Sequence, residues 1–252
     1  MQALRPFLPL IAFFIVIGVN AAANVVPING YQTGELSDLY PTGFTPSGYV
    51  FSIWSLIYIG LAIYAFSFLY GMEAVKSRAQ TVENLFLVNA TCNAAWIFAW
   101  HYRLVELSLV LMLGILVTLI LITSKIRKQG TPSPRQLLAV DGPFSLYFGW
   151  ITTATLANLG AVFYAQQFYP FSLSMDQWAL VTVVSAIAIY IWMGVTTRDI
   201  AYCCVFIWAS YGIYVRQEGI SDPVKLAAIT GSVLLSVAVV WITMRKDFFS
   251  RK

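Results

Sequence analysis

Trp150, Ala154 and Asn158 stand four residues apart within DGPFSLYFGWITTATLAN, residues 141–158. That spacing puts them on one face of a helix. Tyr147 and Thr155 lie in the same apolar stretch. A second set recurs at intervals of four, three and four: Asn89, Asn93, Trp96 and Trp100. A third pair, Trp54 and Tyr58, is again four apart. Indole and phenol rings offer stacking area to a flat apolar molecule, and amides and hydroxyls can fix its polar edge. In hydrocarbon such groups must face protein or a cavity, because lipid offers them no hydrogen bonds. The competing reading is that the rings fill a helix-bundle core and the asparagines bond helix to helix.

Catalytic sets are scarce. The chain has no GxSxG, HExxH, Walker or GxGxxG motif. An intramembrane lipid hydrolase would have to draw on His101, the sole histidine, with Glu106 and Asp141, the acids nearest to apolar segments. Cys92, Cys203 and Cys204 form no metal-ligand spacing and read as small buried hydrophobes. The last apolar segment has no central lysine, which argues against a retinal Schiff base.

The elements that must position these residues are membrane spans. Of 252 residues, 59% are hydrophobic and 10% charged, against about 25% charged in soluble domains. The mean hydropathy is +0.75. Eight apolar segments are expected as helices: residues 5–26, 47–71, 84–101, 104–125, 136–164, 178–197, 200–215 and 224–244. The first is long enough to be a retained span and not a cleaved signal. Pro143 should kink or start the fifth helix. Ala227 and Gly231 suit close helix contact in the eighth.

Residues 27–46, PINGYQTGELSDLYPTGFTP, form the longest connection, rich in turn formers and without Lys or Arg. It reads as a lid or as a passive loop. With eight spans, twelve of the fifteen basic residues fall on one side: Arg5, Lys76, Arg78, four in residues 125–135, Arg198 and four in the tail. The positive-inside rule then places both termini in the cytoplasm. The net charge of +4 comes from scattered residues, with no basic patch for nucleic acid.

Three segments resemble signatures of the TspO/MBR family, the translocator or tryptophan-rich sensory proteins. In TPSGYVFSIWSLIY, Pro46, Gly48, Tyr49, Val50 and Phe51 are followed by Trp54 and Tyr58. NATCNAAW holds Asn93 and Trp96, and GWITTATLAN holds Trp150, Ala154, Thr155 and Asn158. The chain departs from the family pattern in carrying Tyr49 where the motif has tryptophan. The distance to Trp54 is also one residue shorter, and three spans follow the family core. The resemblance covers residues 1–165 and implies a five-helix bundle there, with residues 166–252 adding three transmembrane helices. It further implies a pocket beneath the first loop for porphyrins and related tetrapyrroles, or for other apolar ligands.

The sequence therefore leads to an all-α, polytopic integral membrane bundle that binds a flat apolar ligand, expected to be a tetrapyrrole. The expected ligand-binding residues are Pro46, Tyr49, Phe51, Trp54, Tyr58, Asn93, Trp96, Trp100, Tyr147, Trp150 and Asn158. No cofactor or metal is required. The bilayer and an apolar small molecule are the expected partners, with a homodimer or a larger membrane complex also allowed. Two alternatives stay open: an accessory subunit that docks through its last three helices, and the lipid hydrolase.

Overall fold

Apolar runs of about twenty residues can satisfy their backbone polar groups in a membrane only as helices, and the chain obeys. In a computed structural model that describes residues 2–244, nine helices of eight or more residues follow in order. They are α1 (Leu8–Val25), α2 (Ile53–Tyr70), α3 (Glu73–Gln80), α4 (Glu83–His101), α5 (Val105–Arg127), α6 (Gly142–Gln166), α7 (Met175–Thr197), α8 (Ile200–Arg216) and α9 (Asp222–Met244). Among the described residues there is no strand. The basic tail, residues 245–252, lies outside the described residues.

Among the described residues, six stretches are long and apolar enough to cross a membrane: Arg5–Val25, Gly48–Tyr70, Val105–Arg127, Pro134–Gln166, Met175–Thr197 and Asp222–Met244. The protein is an integral, multi-pass membrane protein. The third and seventh expected spans are helices that fall short by different routes. α4 is diluted by its asparagines, and α8 has only 17 residues. α4 nevertheless packs along α5 and α1, which bury its polar face.

The linker after α2 contains the short helix α3. Ahead of α6, a Ser133 capping box starts one helical turn. It runs into a five-residue π turn, Leu137–Asp141, with Gly142 N–H bonded to the Leu137 carbonyl. Pro143 thus sits at the start of regular α-helix, where its missing N–H costs least.

The chain divides into two compact units. Residues 2–33 and 53–148 form the first. Its core holds Tyr64, Phe86 and Phe144, with Tyr64 edge-on to Phe144 at 4.7 Å and to Phe86 at 5.0 Å. Gly60 lets Pro143 approach so closely that an added Cβ would lie 3.0 Å from the proline ring. Along α5, Leu107, Val110, Leu113, Val117 and Leu121 stay exposed. They recur every three or four residues, as a lipid-facing stripe does.

Residues 34–52 and 149–244 form the second unit. Tyr190 of α7 lies stacked on Tyr202 at 4.4 Å and on Phe206 at 4.5 Å, both from α8. Its hydroxyl is bonded to Thr153 and Gly149 of α6. α7 and α9 pack closely at Gly231, where a Cβ would come 2.8 Å from Ile187. This is the close contact expected at Gly231.

Candidate ligand-binding site

In the first unit the expected residues of α2, α4 and α6 converge. Trp54 stacks on Tyr58 at 5.4 Å and 20°, as residues one helical turn apart can. The Tyr147 ring also neighbours it, at 6.0 Å. Asn93 Nδ2 donates to the Tyr147 hydroxyl at 2.9 Å, and Asn93 Oδ1 accepts from Asn20 Nδ2 at 2.9 Å. Asn20 is anchored in turn on the Val16 carbonyl of its own helix. All three polar side chains are buried, Asn93 and Tyr147 to 1% exposure. A polar line inside an apolar bundle is tolerated only when each member is paired, and this one runs unbroken across α1, α4 and α6.

Trp96 and Trp100, further along α4, stack on each other at 6.0 Å and 14°. Both are buried, and Trp100 Nε1 donates to the Thr33 carbonyl at 3.4 Å. The next residue, His101, is completely buried. Its Nδ1 meets the Ile97 carbonyl at 2.8 Å, so that nitrogen carries the proton. Nε2 is then free to accept from the Thr33 hydroxyl at 3.5 Å. Asn29 donates to the His101 carbonyl at 2.9 Å. The start of the long loop is therefore fastened to the end of α4.

The second unit holds the remaining candidates. Phe51 stands edge-on to Trp150 at 5.7 Å. Pro46, Trp150 and Asn158 are buried. Tyr49 is 42% exposed and leans edge-on against Trp208 at 5.2 Å. Trp208 also donates to the Val50 carbonyl at 3.1 Å. Ser47 is bonded to the Gly212 carbonyl, and Gln217 donates to the Gly43 carbonyl. Arg216 pairs with Asp38. Residues 34–52 are thus held along α8, with Leu36, Phe44 and Val50 buried beneath them. This loop is an anchored element with a short helix, Thr33–Asp38, and its own core.

Another opening in the second unit was not expected. Phe44, Phe163, Tyr164, Tyr169, Met175 and Trp178 are among the residues lining a cleft of about 30 Å³, room for a water molecule.

Two residues with clear consequences escaped the sequence reading. Arg78 Nε and Nη2 donate to the two carboxylate oxygens of Asp141 at 2.7 and 2.8 Å, with both residues buried. Glu83, also buried, takes Arg5 at 3.4 Å. The pairing of Arg78 with Asp141 bears on the hydrolase alternative. Arg78 precedes α4, whereas His101 is its last residue, so 19 residues, roughly 28 Å of helix, stand between them. Asp141 and His101 do not converge on one centre.

Comparison with known proteins supplies one family. A family model described as TSPO-like protein matches residues 6–241, which reaches into all the long helices, including the three beyond residue 165. No curated protein and no solved structure matches the chain. The motifs on α2, α4 and α6, the all-helical membrane fold and this match agree. The chain belongs to the TSPO-like protein family, which suggests a membrane ligand-binding or sensor role in general.

Proposed function

We propose that the protein binds a flat apolar ligand of the tetrapyrrole class within the membrane, to sense, sequester or move it. The observation that carries this reading is the pairing of a stacked aromatic wall, Trp54 on Tyr58, with a buried polar line, Asn20 to Asn93 to Tyr147. Ring faces supply area and dispersion, and the polar line gives orientation. Trp96 and Trp100 add stacking surface, and Tyr58 and Asn93 orient polar edges. The family motifs put Pro46, Tyr49, Phe51, Trp150 and Asn158 forward as ligand contacts as well. Both termini face the cytoplasm in this reading, which the distribution of basic residues over eight spans supports.

The test is absorbance and fluorescence of the purified protein in detergent or nanodiscs with added protoporphyrin. A shifted Soret band with quenched tryptophan emission is the expected result. Trp54→Ala should weaken binding by about 2 kcal/mol or more if the ring is a buried anchor. An unshifted spectrum at micromolar porphyrin would reject the tetrapyrrole assignment.

A further inference from the structure

The direction of the buried polar line is fixed by its first member. A backbone carbonyl only accepts, so the Asn20 atom 2.9 Å from the Val16 oxygen is the amide nitrogen. The second proton of that nitrogen points at Asn93, 2.9 Å away, so the receiving atom is Oδ1. The other terminal atom of Asn93 is then Nδ2, which donates to the Tyr147 oxygen at 2.9 Å. Neither amide can be flipped without setting donor against donor or acceptor against acceptor. The Tyr147 hydroxyl receives a proton and keeps its own to give. Among the described residues no protein atom takes that proton.

We infer that Tyr147 presents a committed hydrogen-bond donor beside the Trp54 ring, and that the site selects flat apolar ligands carrying an acceptor, such as an ester or ketone carbonyl, on their edge. This rests on the ligand-binding reading above and narrows it. A donor buried among rings gains from an acceptor brought by the ligand. A ligand without one leaves the donor unsatisfied, which discriminates more strongly than shape does. The Trp54 and Tyr147 rings lie 6.0 Å apart, centre to centre, so a ligand packed against the indole would also neighbour the phenol.

The test compares two neutral porphyrins with the same ring: protoporphyrin dimethyl ester, which carries carbonyls, and etioporphyrin, which carries only alkyl groups. The protein should prefer the ester by about tenfold. Tyr147→Phe should reduce the preference below about twofold. Asn93→Asp keeps the shape but offers a second acceptor, which takes the Tyr147 proton, so it too should abolish the preference. Equal affinities in the unmodified protein, or a preference that survives either substitution, overturn the inference. If neither porphyrin binds, the tetrapyrrole assignment falls, and the donor is read in the ligand-free protein. Ultraviolet resonance Raman difference spectra, unmodified minus Tyr147→Phe, should report a hydroxyl that accepts without donating to protein. A hydroxyl donating to protein would overturn the inference independently of any ligand.

Discussion

Arg78 and Asp141, 63 residues apart in the chain, are joined by two side-by-side hydrogen bonds in a setting where both side chains are buried. The same guanidinium reaches the carbonyls of Ile126 and Gly130 at 3.2 Å. It thereby caps the end of α5 and ties α3, α5 and the π turn together. Removing one partner strands a buried charge, at a cost of about 3–5 kcal/mol. Arg78→Ala and Asp141→Ala should each lower the thermal midpoint in detergent sharply. The double replacement Arg78→Met with Asp141→Leu should cost much less than either. Arg78→Lys should fail to rescue, because an ammonium has no planar fork. A double variant as unstable as the singles would show that the charges are not what matters there.

Gly212 is where α8 accepts residues 46–52. A Cβ at this position would lie 2.1 Å from Val50 Cγ2 and 3.3 Å from Pro46 Cβ. The Gly212 carbonyl also takes both the amide and the hydroxyl of Ser47 at 3.1 Å. Gly212→Ala should cost about 1–3 kcal/mol by overpacking. It should also speed proteolysis within residues 40–52. Unchanged cleavage kinetics would mean that the segment is held elsewhere.

The start of the loop hangs on α4 by Asn29, Thr33 and Trp100. Asn29 adopts a left-handed backbone (φ 54°), which Asn and Gly tolerate best. Asn29→Gly keeps that backbone and deletes the bond to His101. Amide exchange at residues 28–33 should rise about fivefold, the equivalent of one hydrogen bond of about 1 kcal/mol. Exchange that stays the same would assign the tether to Thr33 and Trp100 alone.

Tyr49 and Trp150 should behave differently although each stands in a family signature. Trp150 is buried against Phe51, whereas Tyr49 is partly exposed beside Trp208. For porphyrin titrations, Trp150→Ala should cost a few kcal/mol and Tyr49→Ala less than about 1 kcal/mol. Equal losses would place Tyr49 in the site as firmly as Trp150.

The helices were legible because membrane thickness dictates run length, and α4 was legible despite its polarity because its asparagines and tryptophans share one face. Which atoms meet across helices was not. Asn93 and Tyr147 are expected site residues, yet their bond depends on how α4 and α6 are juxtaposed, which spacing along one helix does not encode. Asn20 gave a signal in the sequence, an asparagine near the end of an apolar run, but nothing in the chain order names its partner. Arg78 stood out in the sequence only as one of the basic residues counted on one side, because nothing in the chain order names Asp141 as its partner. Its burial comes from α3 folding back against the end of α5 and the π turn. Trp208 sits in the shortest apolar helix, where an aromatic looks like an interfacial anchor, and only the path of residues 46–52 brings it to Tyr49.

The π turn at Leu137–Asp141 carries one residue more than an α-turn would. Every side chain that follows is therefore dialled round by about 100° relative to those before it. Tyr147 looks toward Asn93 only because of that offset. Losing a single amino acid in this stretch would turn the phenol away from its partner and rotate a different set of side chains inward, without changing one residue of the site itself.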